Sequence, residues 1–329
     1  MLNRSTISAL FVGFLGAGLW ADQFGSALAT RAMLATVGSL RAASPPPQPG
    51  TFPDSWNAGL DCANEPDFQV HAYNDDFYII RQSKCVIYEA PFLYLMFGDE
   101  KALLLDTGSS TTADVYGTVM RIVDHWLADK AMDSIPLIVA HSHSHADHFL
   151  GDDQFIGQPG VELVVPTTKP EALRFWGFEG YPLDKPTLDL GNRVIDVLGT
   201  PGHNGVSVTL YDRRTQLMLS GDVVYPGHLF IYQPFEKFRR SIRRMAIWAS
   251  ENPVQWVLGG HIEMSSIPYR PYRYGTQAHP LEHDLQFHPR ELLEIYLAAR
   301  EMGDEPHCEI FDEFVIQPMT DCSVFWNGD

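Results

Sequence analysis

Residues 140–148 read AHSHSHADH, and this stretch guides the interpretation of the whole chain. Within it, one register gives the pattern H-x-H-x-D-H, with His143, His145, Asp147 and His148. In a turn after a strand, the first two of these residues can point one way and the last two another, so they can serve two adjacent metal positions. Imidazole and carboxylate donors suit zinc. A histidine-rich loop alone is a moderate signal, because short histidine tracts also bind metals adventitiously.

Three later segments repeat one pattern, an apolar run that ends in glycine and one metal-capable side chain. They are the segments Thr200–His203, Ser220–Asp222 and Gly259–His261. Glycine allows the backbone to turn tightly at each of these strand ends. The recurrence of the pattern indicates one site assembled from the ends of several strands.

Together with Asp106 in the segment LDTG at residues 105–108, these motifs resemble those of the metallo-β-lactamase superfamily in content and order. The five motifs extend from Asp106 to His261, roughly half of the chain, and their combination is far more specific than any one of them. The resemblance implies an α/β fold of four layers, an αββα sandwich, with a dinuclear metal site between the sheet edges.

The resemblance also implies a role for each motif residue. The first metal would be bound by His143, His145 and His203. The second metal would be bound by Asp147, His148 and His261, and Asp222 would bridge both. Asp106 would be a buried carboxylate that orients the ligands without binding metal. The expected cofactors are two Zn²⁺ ions, and Mn or Fe stays open because the site has no thiolate ligand.

Two adjacent zinc ions generate hydroxide at neutral pH, which implies hydrolysis of an ester, lactone, thioester or amide. Asp222 stands where classical zinc β-lactamases have Cys or Ser, which disfavours β-lactam hydrolysis. His145, where another branch has Glu, disfavours a di-iron oxygen-reducing enzyme. The segment Asp222–Tyr225 resembles the D-x-x-Y motif of acyl-homoserine lactonases, so Tyr225 is expected, with Asp147, to be catalytic; a packing role for the ring is the alternative.

The sequence therefore predicts an exported dinuclear-zinc hydrolase that cleaves a small carboxylic ester or lactone. Four alternatives stay open: a glyoxalase-II-like thioesterase, a β-lactamase, an iron persulfide dioxygenase and a metal-binding protein without catalysis. The Tyr- and Arg-rich segment at 268–275 is expected to be either a pocket wall or a surface loop. Outside the motifs, His141 is interpreted as a neighbour of the site, His228 as a candidate pocket residue, and His279 as a surface or turn residue.

The ends of the chain point to an oxidising compartment. Residues 1–29 have one early positive charge, an apolar run and a closing Ala-Leu-Ala, the pattern of a cleaved signal peptide. Residues 30–53 are expected to be a Pro-rich linker and 54–329 the hydrolase domain, in the periplasm or outside the cell. The four cysteines allow three pairings, of which Cys62–Cys85 with Cys308–Cys322 is the most local; four buried thiols are the alternative.

Charge and hydropathy set the remaining expectations. The formal net charge is −18, so nucleic acid would be repelled and is not an expected partner. The expected partner is a small acyl substrate, with no membrane span in the mature chain and an undetermined oligomeric state.

Helical periodicity predicts helices at 113–129, 170–176, 235–250 and 289–302. Short apolar runs predict strands at 77–82, 86–97, 102–105, 137–140, 163–165, 194–198, 206–211, 216–219 and 254–258.

Overall fold

The computed structural model describes residues 47–319, which belong to one compact unit. The predicted signal peptide and most of the predicted linker lie outside the described residues. The end of that linker packs on the domain: the N–H of Gln48 donates to the carbonyl of Arg214 at 2.7 Å, and the N–H of Thr51 donates to the carbonyl of Tyr73 at 2.9 Å. Phe52 packs against the core between the sheets.

The first sheet has six strands in sequential order. They are β1 (Phe68–Asn74), β2 (Phe77–Gln82), β3 (Phe92–Phe97), β4 (Ala102–Leu105), β5 (Leu137–Ala140) and β6 (Val161–Val164). Strands β1 to β4 pair antiparallel, whereas β4, β5 and β6 run parallel. The parallel pair β4 and β5 therefore presents two carboxyl ends at the same edge of the sheet.

The second sheet also has six strands, in the order β13-β12-β10-β9-β8-β7. They are β7 (Thr187–Asp189), β8 (Val194–Gly199), β9 (Val208–Asp212), β10 (Leu217–Gly221), β12 (Trp256–Gly259) and β13 (Gln286–Phe287). A smaller sheet contains β11 (His228–Ile231), β14 (Glu309–Ile310) and β15 (Val315–Pro318). Strands β10 and β12 are parallel, and both end in glycine at the edge that carries the predicted ligands.

Four helices complete the fold, and they agree with the predicted segments to within about two residues. They are α1 (Val115–Lys130), α2 (Lys169–Phe175), α3 (Phe235–Glu251) and α4 (Arg290–Glu301). Helix α1 begins where the carboxylate of Asp114 accepts the N–H of Gly117, and it ends at Ala131, whose φ of 53° is left-handed. Among residues 47–319, no helix is both long and apolar enough to cross a bilayer.

Alternation along the strands creates the layers. On β3, Tyr94 and Met96 face the core between the two sheets, while Leu93 and Leu95 face α1. Side chains also alternate between the two faces of the second sheet. Leu217 and Leu219 of β10 face the first sheet, and Met218 faces α3 and α4. The order of layers is helix, sheet, sheet and helix, so the predicted αββα sandwich is confirmed.

The sequence-based assignment predicts no strand at Phe68–Asn74, where the structure has β1, and it overextends the strand at 86–97, where only Phe92–Phe97 is a strand. The preceding residues form turns, with Ala90 at a φ of 44°, because Cys85 is tied to Cys62 and the chain must reverse before Pro91. The predicted Cys62–Cys85 disulfide is confirmed, with a Cα–Cα distance of 5.3 Å. Cys308 is also disulfide-bonded, but Cys322 lies outside the described residues.

A buried ion pair links the two sheets. The guanidinium of Arg193, just before β8, contacts the carboxylate of Asp212 at 2.5 Å, and neither side chain is exposed. The same guanidinium donates to the carbonyls of Asp76 and Phe97 in the first sheet. Burial opposes ionisation of Asp212, but Arg193 outweighs burial and lowers the pKa of this carboxyl. The pair therefore fixes how one sheet lies on the other.

We expect Asp212→Asn to lower the free energy of unfolding at pH 7 by about 3–5 kcal/mol, because it leaves Arg193 buried without a counter-charge. The exposed control Asp133→Asn should change it by less than about 0.5 kcal/mol. Because the folded-state pKa of Asp212 is lowered, its stabilisation is present above the unfolded pKa and is lost as pH falls. Urea denaturation across pH 3–7 measures the free energy of unfolding of both proteins. The difference in this free energy between wild type and Asp212→Asn should become smaller below about pH 4. A constant gap would contradict the ion-pair explanation.

Candidate metal centre

The predicted ligands meet at one edge of the sandwich because four strand ends converge there. The histidine-rich segment follows β5, and a short 3₁₀ turn at Ala146–His148 closes it. His203 follows β8, Asp222 follows β10 directly, and His261 stands two residues after β12. Strands β8, β10 and β12 run in the same direction, so their carboxyl ends share an edge.

Three histidines form the first cluster. Their ligand atoms lie within 4.8 Å of one another, and the members are His143, His145 and His203. The Nε2 of His203 lies 2.8 Å from the Nδ1 of His145. His143 and His203 are buried, and His145 is half-buried. Three imidazoles with converging nitrogens match the number and type of protein ligands in open zinc sites.

Four residues form the second cluster: Asp147, His148, Asp222 and His261. The Nε2 atoms of His148 and His261 each lie 3.2 Å from the Oδ2 of Asp147. The Oδ1 of Asp222 lies 3.2 Å from the Nε2 of His148, and its Oδ2 lies 3.3 Å from the Nε2 of His261. Two carboxylates and two imidazoles thus converge on a second position.

Asp222 stands between the clusters. Its Oδ2 lies 3.5 Å from the Nε2 of His203 and 3.9 Å from the Nε2 of His143, both members of the first cluster. A carboxylate that faces both clusters is placed as a bridging ligand requires. Gly260 permits this approach, because a Cβ there would lie 2.3 Å from the Oδ1 of Asp222.

The fit of this site to metal ions is tested by its hydrogen bonds. The Nε2 atoms of His143 and His148 and the Oδ1 of Asp222 are buried and make no hydrogen bond. Buried polar atoms without partners are costly and rare in native proteins. These orphaned atoms converge, and all are of the ligand type that divalent cations use. The residues present therefore fit a metal centre.

Asp106 holds part of the site from behind. Its Oδ2 lies 2.8 Å from the Nδ1 of His148, and its Oδ1 accepts the N–H of Ser142 at 2.7 Å. The Ser142 hydroxyl donates to Asp106 at 2.8 Å and lies 3.1 Å from the Nδ1 of His143. With Nδ1 occupied, the Nε2 of His148 is left to face the centre, the arrangement expected of an orienting carboxylate.

Backbone carbonyls orient two more ligands. The Nδ1 of His203 lies 2.8 Å from the carbonyl of Phe230, and the Nδ1 of His261 lies 2.9 Å from the carbonyl of Glu89. In both rings an Nδ1–H that donates to the carbonyl leaves the Nε2 lone pair for a cation. Each of these two ligand rings is therefore fixed by a group outside the cluster.

The electrostatics of the two clusters differ. Burial lowers the pKa of His203 to about 4 and lowers the pKa of His143 well below its usual value, so both are neutral at pH 7. In the second cluster, burial also disfavours the charged form of His148 and His261. There the carboxylates of Asp222 and Asp147 outweigh burial and raise the pKa of both imidazoles. Cations bound at the second cluster must therefore displace protons.

A cleft of about 370 Å³ lies over the centre. Besides the proposed ligands, it is lined by Glu89, Ala146, Tyr225, Phe230, Tyr232, Glu263 and Tyr274. The ring of Tyr232 lies edge-on to His145 and His203, with centroid distances of 5.4 and 5.3 Å. Substrate in this cleft would lie directly against both clusters.

The position of Tyr225 corrects its predicted catalytic role. The ring lies against His261, with a centroid distance of 5.6 Å, but the side chain is buried. Its hydroxyl donates to the carbonyl of His228 and lies 3.1 Å from the carboxylate of Glu263. The single O–H proton is already held by these acceptors, so it is not free for a substrate carbonyl. The packing alternative describes this residue better.

Other histidines lie outside the clusters. His141 is buried beside them, with Nδ1 3.2 Å from the carbonyl of His148 and Nε2 3.1 Å from Asp152. Both ring nitrogens of His228 are engaged, by Gln317 and by the carbonyl of Tyr272, so it is not a pocket residue. The expectation for His279 is a surface or turn residue; it lies outside the helices and strands, but it is buried and stacked on Tyr272 at 3.9 Å, so the surface alternative is wrong.

Sequence reasoning missed most of the cleft wall. Phe230 and Tyr232 belong to or follow β11, a strand that the apolar pattern did not reveal. Glu263 and Glu89 lie in no sequence motif, so nothing in the sequence distinguishes them from acidic residues on the surface. Tyr274 lies in the Tyr- and Arg-rich segment that was interpreted as a wall or a surface loop, and it lines the cleft. The sequence feature that indicates this role is the enrichment of tyrosine in the segment shortly after His261.

The chain is similar to a known protein family, to curated relatives and to solved structures. Residues 89–247 match the family model described as the metallo-beta-lactamase superfamily. Acyl-coenzyme A thioesterase MBLAC2 of Bos taurus is 26% identical over 202 residues, which are 51% of this chain and 72% of the relative. Hydroxyacylglutathione hydrolase of Brucella anthropi is 26% identical over 109 residues, 32% of this chain and 41% of the relative. A solved metallo-beta-lactamase from Pontibacter korlensis superposes with a TM-score of 0.47 at 14% identity, covering 71% of this chain and 99% of that one.

We expect the purified protein to bind close to two divalent cations per chain, and Asp222→Ala to bind one or fewer. Alanine removes the carboxylate that faces both clusters. Elemental analysis after equilibration with zinc measures the content. The exposed neighbour Asp153 serves as control, and Asp153→Asn should keep full occupancy. Full occupancy in Asp222→Ala would show that the carboxylate does not bridge.

Tyr225→Phe should lower stability by about 1–2 kcal/mol, because it removes a buried donor and leaves acceptors unsatisfied. The kcat/KM for the best substrate should change by less than about threefold, since the hydroxyl is not free for catalysis. Chemical denaturation and steady-state kinetics on the same preparation separate the two effects. A loss of about tenfold or more in kcat/KM with unchanged stability would restore the catalytic role.

Proposed function

Since the chain carries a metallo-beta-lactamase superfamily domain at residues 89–247, we propose that it is a metal-dependent hydrolase that cleaves thioesters. The observation that carries the hydrolase assignment is the pair of donor clusters that share Asp222 at the floor of a cleft. Seven side chains with no thiolate among them favour two zinc ions, with manganese or iron as alternatives.

The proposed ligand set follows the clusters. One cation would be held by His143, His145 and His203, the other by Asp147, His148 and His261, and Asp222 would contact both. When bound, such cations lower the pKa of a coordinated water toward neutrality and polarise a carbonyl group. Asp106 keeps His148 in the required tautomer, and burial keeps His143 and His203 neutral. The ring of Tyr232 lies edge-on to His145 and His203 of the first cluster and forms a wall of the cleft beside it.

The net reaction adds water across the C–S bond of a thioester. The acyl carbon gains a bond to the water oxygen, the C–S bond breaks, and sulfur leaves as a thiol that carries one proton. Both named relatives act, by their printed names, on thioesters, one of coenzyme A and one of glutathione. This supports a thioester substrate here.

The ester or lactone preference predicted from the sequence has less support. That preference depended on a free hydroxyl at Tyr225, and this hydroxyl is held by the carbonyl of His228 and by Glu263. A carboxylate at the bridging position and a first cluster of three histidines remain compatible with oxygen esters, so lactones belong in the substrate panel as comparators.

We further propose that the protein works in an oxidising compartment after export. The Cys62–Cys85 disulfide supports this, because such bonds persist mainly outside the reducing cytosol. The predicted signal peptide at 1–29 is the second support, and intact-mass analysis of protein from the producing cell decides whether it has been removed.

Thioester hydrolysis is expected to exceed lactone and β-lactam hydrolysis by at least about tenfold in kcat/KM. The panel contains N-acetylcysteamine and coenzyme A thioesters, a γ-lactone and a cephalosporin, each assayed with zinc-loaded protein. Thiol release is followed with a chromogenic disulfide, and lactone opening by proton release. Chelation should abolish turnover, and added zinc should restore it, because the orphaned ligand atoms require a cation.

A variant separates this activity from contamination. Asp106→Asn should reduce turnover and metal affinity together, by about 10–100-fold in affinity, because it removes the acceptor that orients His148. Turnover that resists both chelation and Asp106→Asn would contradict the proposed function. Strong lactone turnover with weak thioester turnover would reassign the substrate and keep the hydrolase class.

A further inference from the structure

The walls of the cleft carry negative charge that is only partly offset by Lys84, a buried lysine whose ammonium donates to the carbonyls of Tyr88 and Thr276. Two of its lining residues are Glu89 and Glu263, and no lysine or arginine is among the described residues that line it. Neither carboxylate has a described lysine, arginine or histidine nitrogen within 4.0 Å, although the chain forms many such pairs elsewhere.

Neutral donors hold both carboxylates in place. The Oε2 of Glu263 accepts the N–H of His228 at 3.0 Å and lies 3.1 Å from the hydroxyl of Tyr225. The Oε2 of Glu89 accepts the hydroxyl of Ser109 at 2.7 Å. Both side chains are only partly exposed. The carboxylates are therefore oriented by the fold, and their charge, which Lys84 offsets only from a distance, can act on a group that enters the cleft.

Aromatic faces supply the rest of the wall. Phe230 lies between Tyr232 and Tyr274, with centroid distances of 6.2 and 5.9 Å. Tyr232 is 49% exposed and Tyr274 is 59% exposed, so their rings are accessible from the cleft. The Tyr274 hydroxyl lies 2.5 Å from that of Tyr88, which also lies 3.1 Å from the Oε1 of Glu89, so aromatic and acidic groups form one connected surface.

The loop that carries Tyr274 is anchored independently of the metal centre. Arg81 of β2 binds the carboxylate of Glu282 through both terminal nitrogens, at 2.5 and 2.6 Å, and both side chains are buried. His279 lies 3.0 Å from the same carboxylate and stacks on Tyr272. The loop that contributes Tyr274 to the aromatic wall is therefore held in place by buried contacts.

We propose that the substrate group accommodated in this cleft carries a positively charged nitrogen, an amine or a quaternary ammonium. Aromatic faces together with carboxylates are the chemistry that recognises such groups, through the negative ring face and through Coulomb attraction. The same walls repel an anionic substrate group at the same position. This inference rests on the proposed function only in that the bond to be cleaved is a thioester. Binding of the cation by Glu89, Glu263 and the aromatic rings can be measured without turnover.

The test without turnover compares choline with 3,3-dimethyl-1-butanol, its neutral isostere, by calorimetric titration of zinc-loaded protein. Choline should bind at least about tenfold more tightly, and raised salt should weaken it. Glu263→Gln and Glu89→Gln should each reduce this preference severalfold, because Gln has nearly the same shape, keeps one acceptor oxygen and removes the charge. Glu100→Gln is the matched control, since Glu100 is exposed in the turn between β3 and β4 and does not line the cleft.

The turnover test uses two matched pairs of a cationic and a neutral thioester, with an anionic comparator added on the acyl side. On the acyl side, the N-acetylcysteamine thioester of 4-(trimethylammonio)butanoate is compared with those of 5,5-dimethylhexanoate and glutarate. On the thiol side, acetylthiocholine is compared with the acetyl thioester of 3,3-dimethylbutanethiol. The cationic member should have at least about tenfold higher kcat/KM in one pair, and the pair identifies the side that occupies the cleft.

The outcomes separate the two proposals. Choline binding that depends on Glu89 and Glu263 without turnover of any thioester would support the cation site and contradict the proposed function. Thioester turnover with no preference for the cationic member in either pair, and no preference for choline over its isostere, would overturn the cation site alone. One further outcome would overturn the cation site: the Glu→Gln variants lose zinc but keep the same preference for the cationic over the neutral ligand. The carboxylates would then serve to balance the charge of the metal ions.

Discussion

The buried carboxylate of Asp222 is the constraint on which the rest of this structure depends. It is 6% exposed, yet it lies among imidazoles that outweigh the burial and keep its pKa well below the usual value. A buried anion is stable only where opposite charge or strong donors surround it. The surrounding imidazoles come from the ends of strands in both sheets, so the sheets must meet at this edge for the charge to be tolerated.

The scaffold meets this requirement with contacts between the sheets and behind the ligands. Apolar residues that alternate along the strands fill the space between the sheets, and the ion pair of Arg193 with Asp212 links the sheets away from the site. Behind the ligands, Asp106 and backbone carbonyls occupy one nitrogen of several rings. The ligand atoms are thereby oriented before any cation binds, which reduces the reorganisation that binding requires.

The wall of the cleft has a different origin from its floor. The floor comes from motif residues at strand ends, whereas the wall comes from β11, from the segment that follows Cys85 and from the loop held by Arg81 and Glu282. Loops and edge strands of this kind vary without disturbing the scaffold. The floor therefore carries the groups that support the hydrolase assignment, and the wall carries the groups on which the proposed substrate preference rests.

By itself, the sequence determined the layered fold and the members of both clusters through the resemblance of its five motifs to those of the metallo-β-lactamase superfamily, and each motif is a short local pattern. His143 and His148 belong to one short segment, and their role can be interpreted without knowing the remaining contacts. Only the tertiary structure showed the hydrogen-bond partners of Tyr225 and brought Glu89 and Glu263 to the cleft. The D-x-x-Y motif predicted a free hydroxyl at Tyr225, but Glu263, 38 residues later, and the turn to His228 bring acceptors to it. Whether a tyrosine donates to substrate or to its own fold depends on which acceptor lies closer, and that distance is set by packing between segments far apart in the chain.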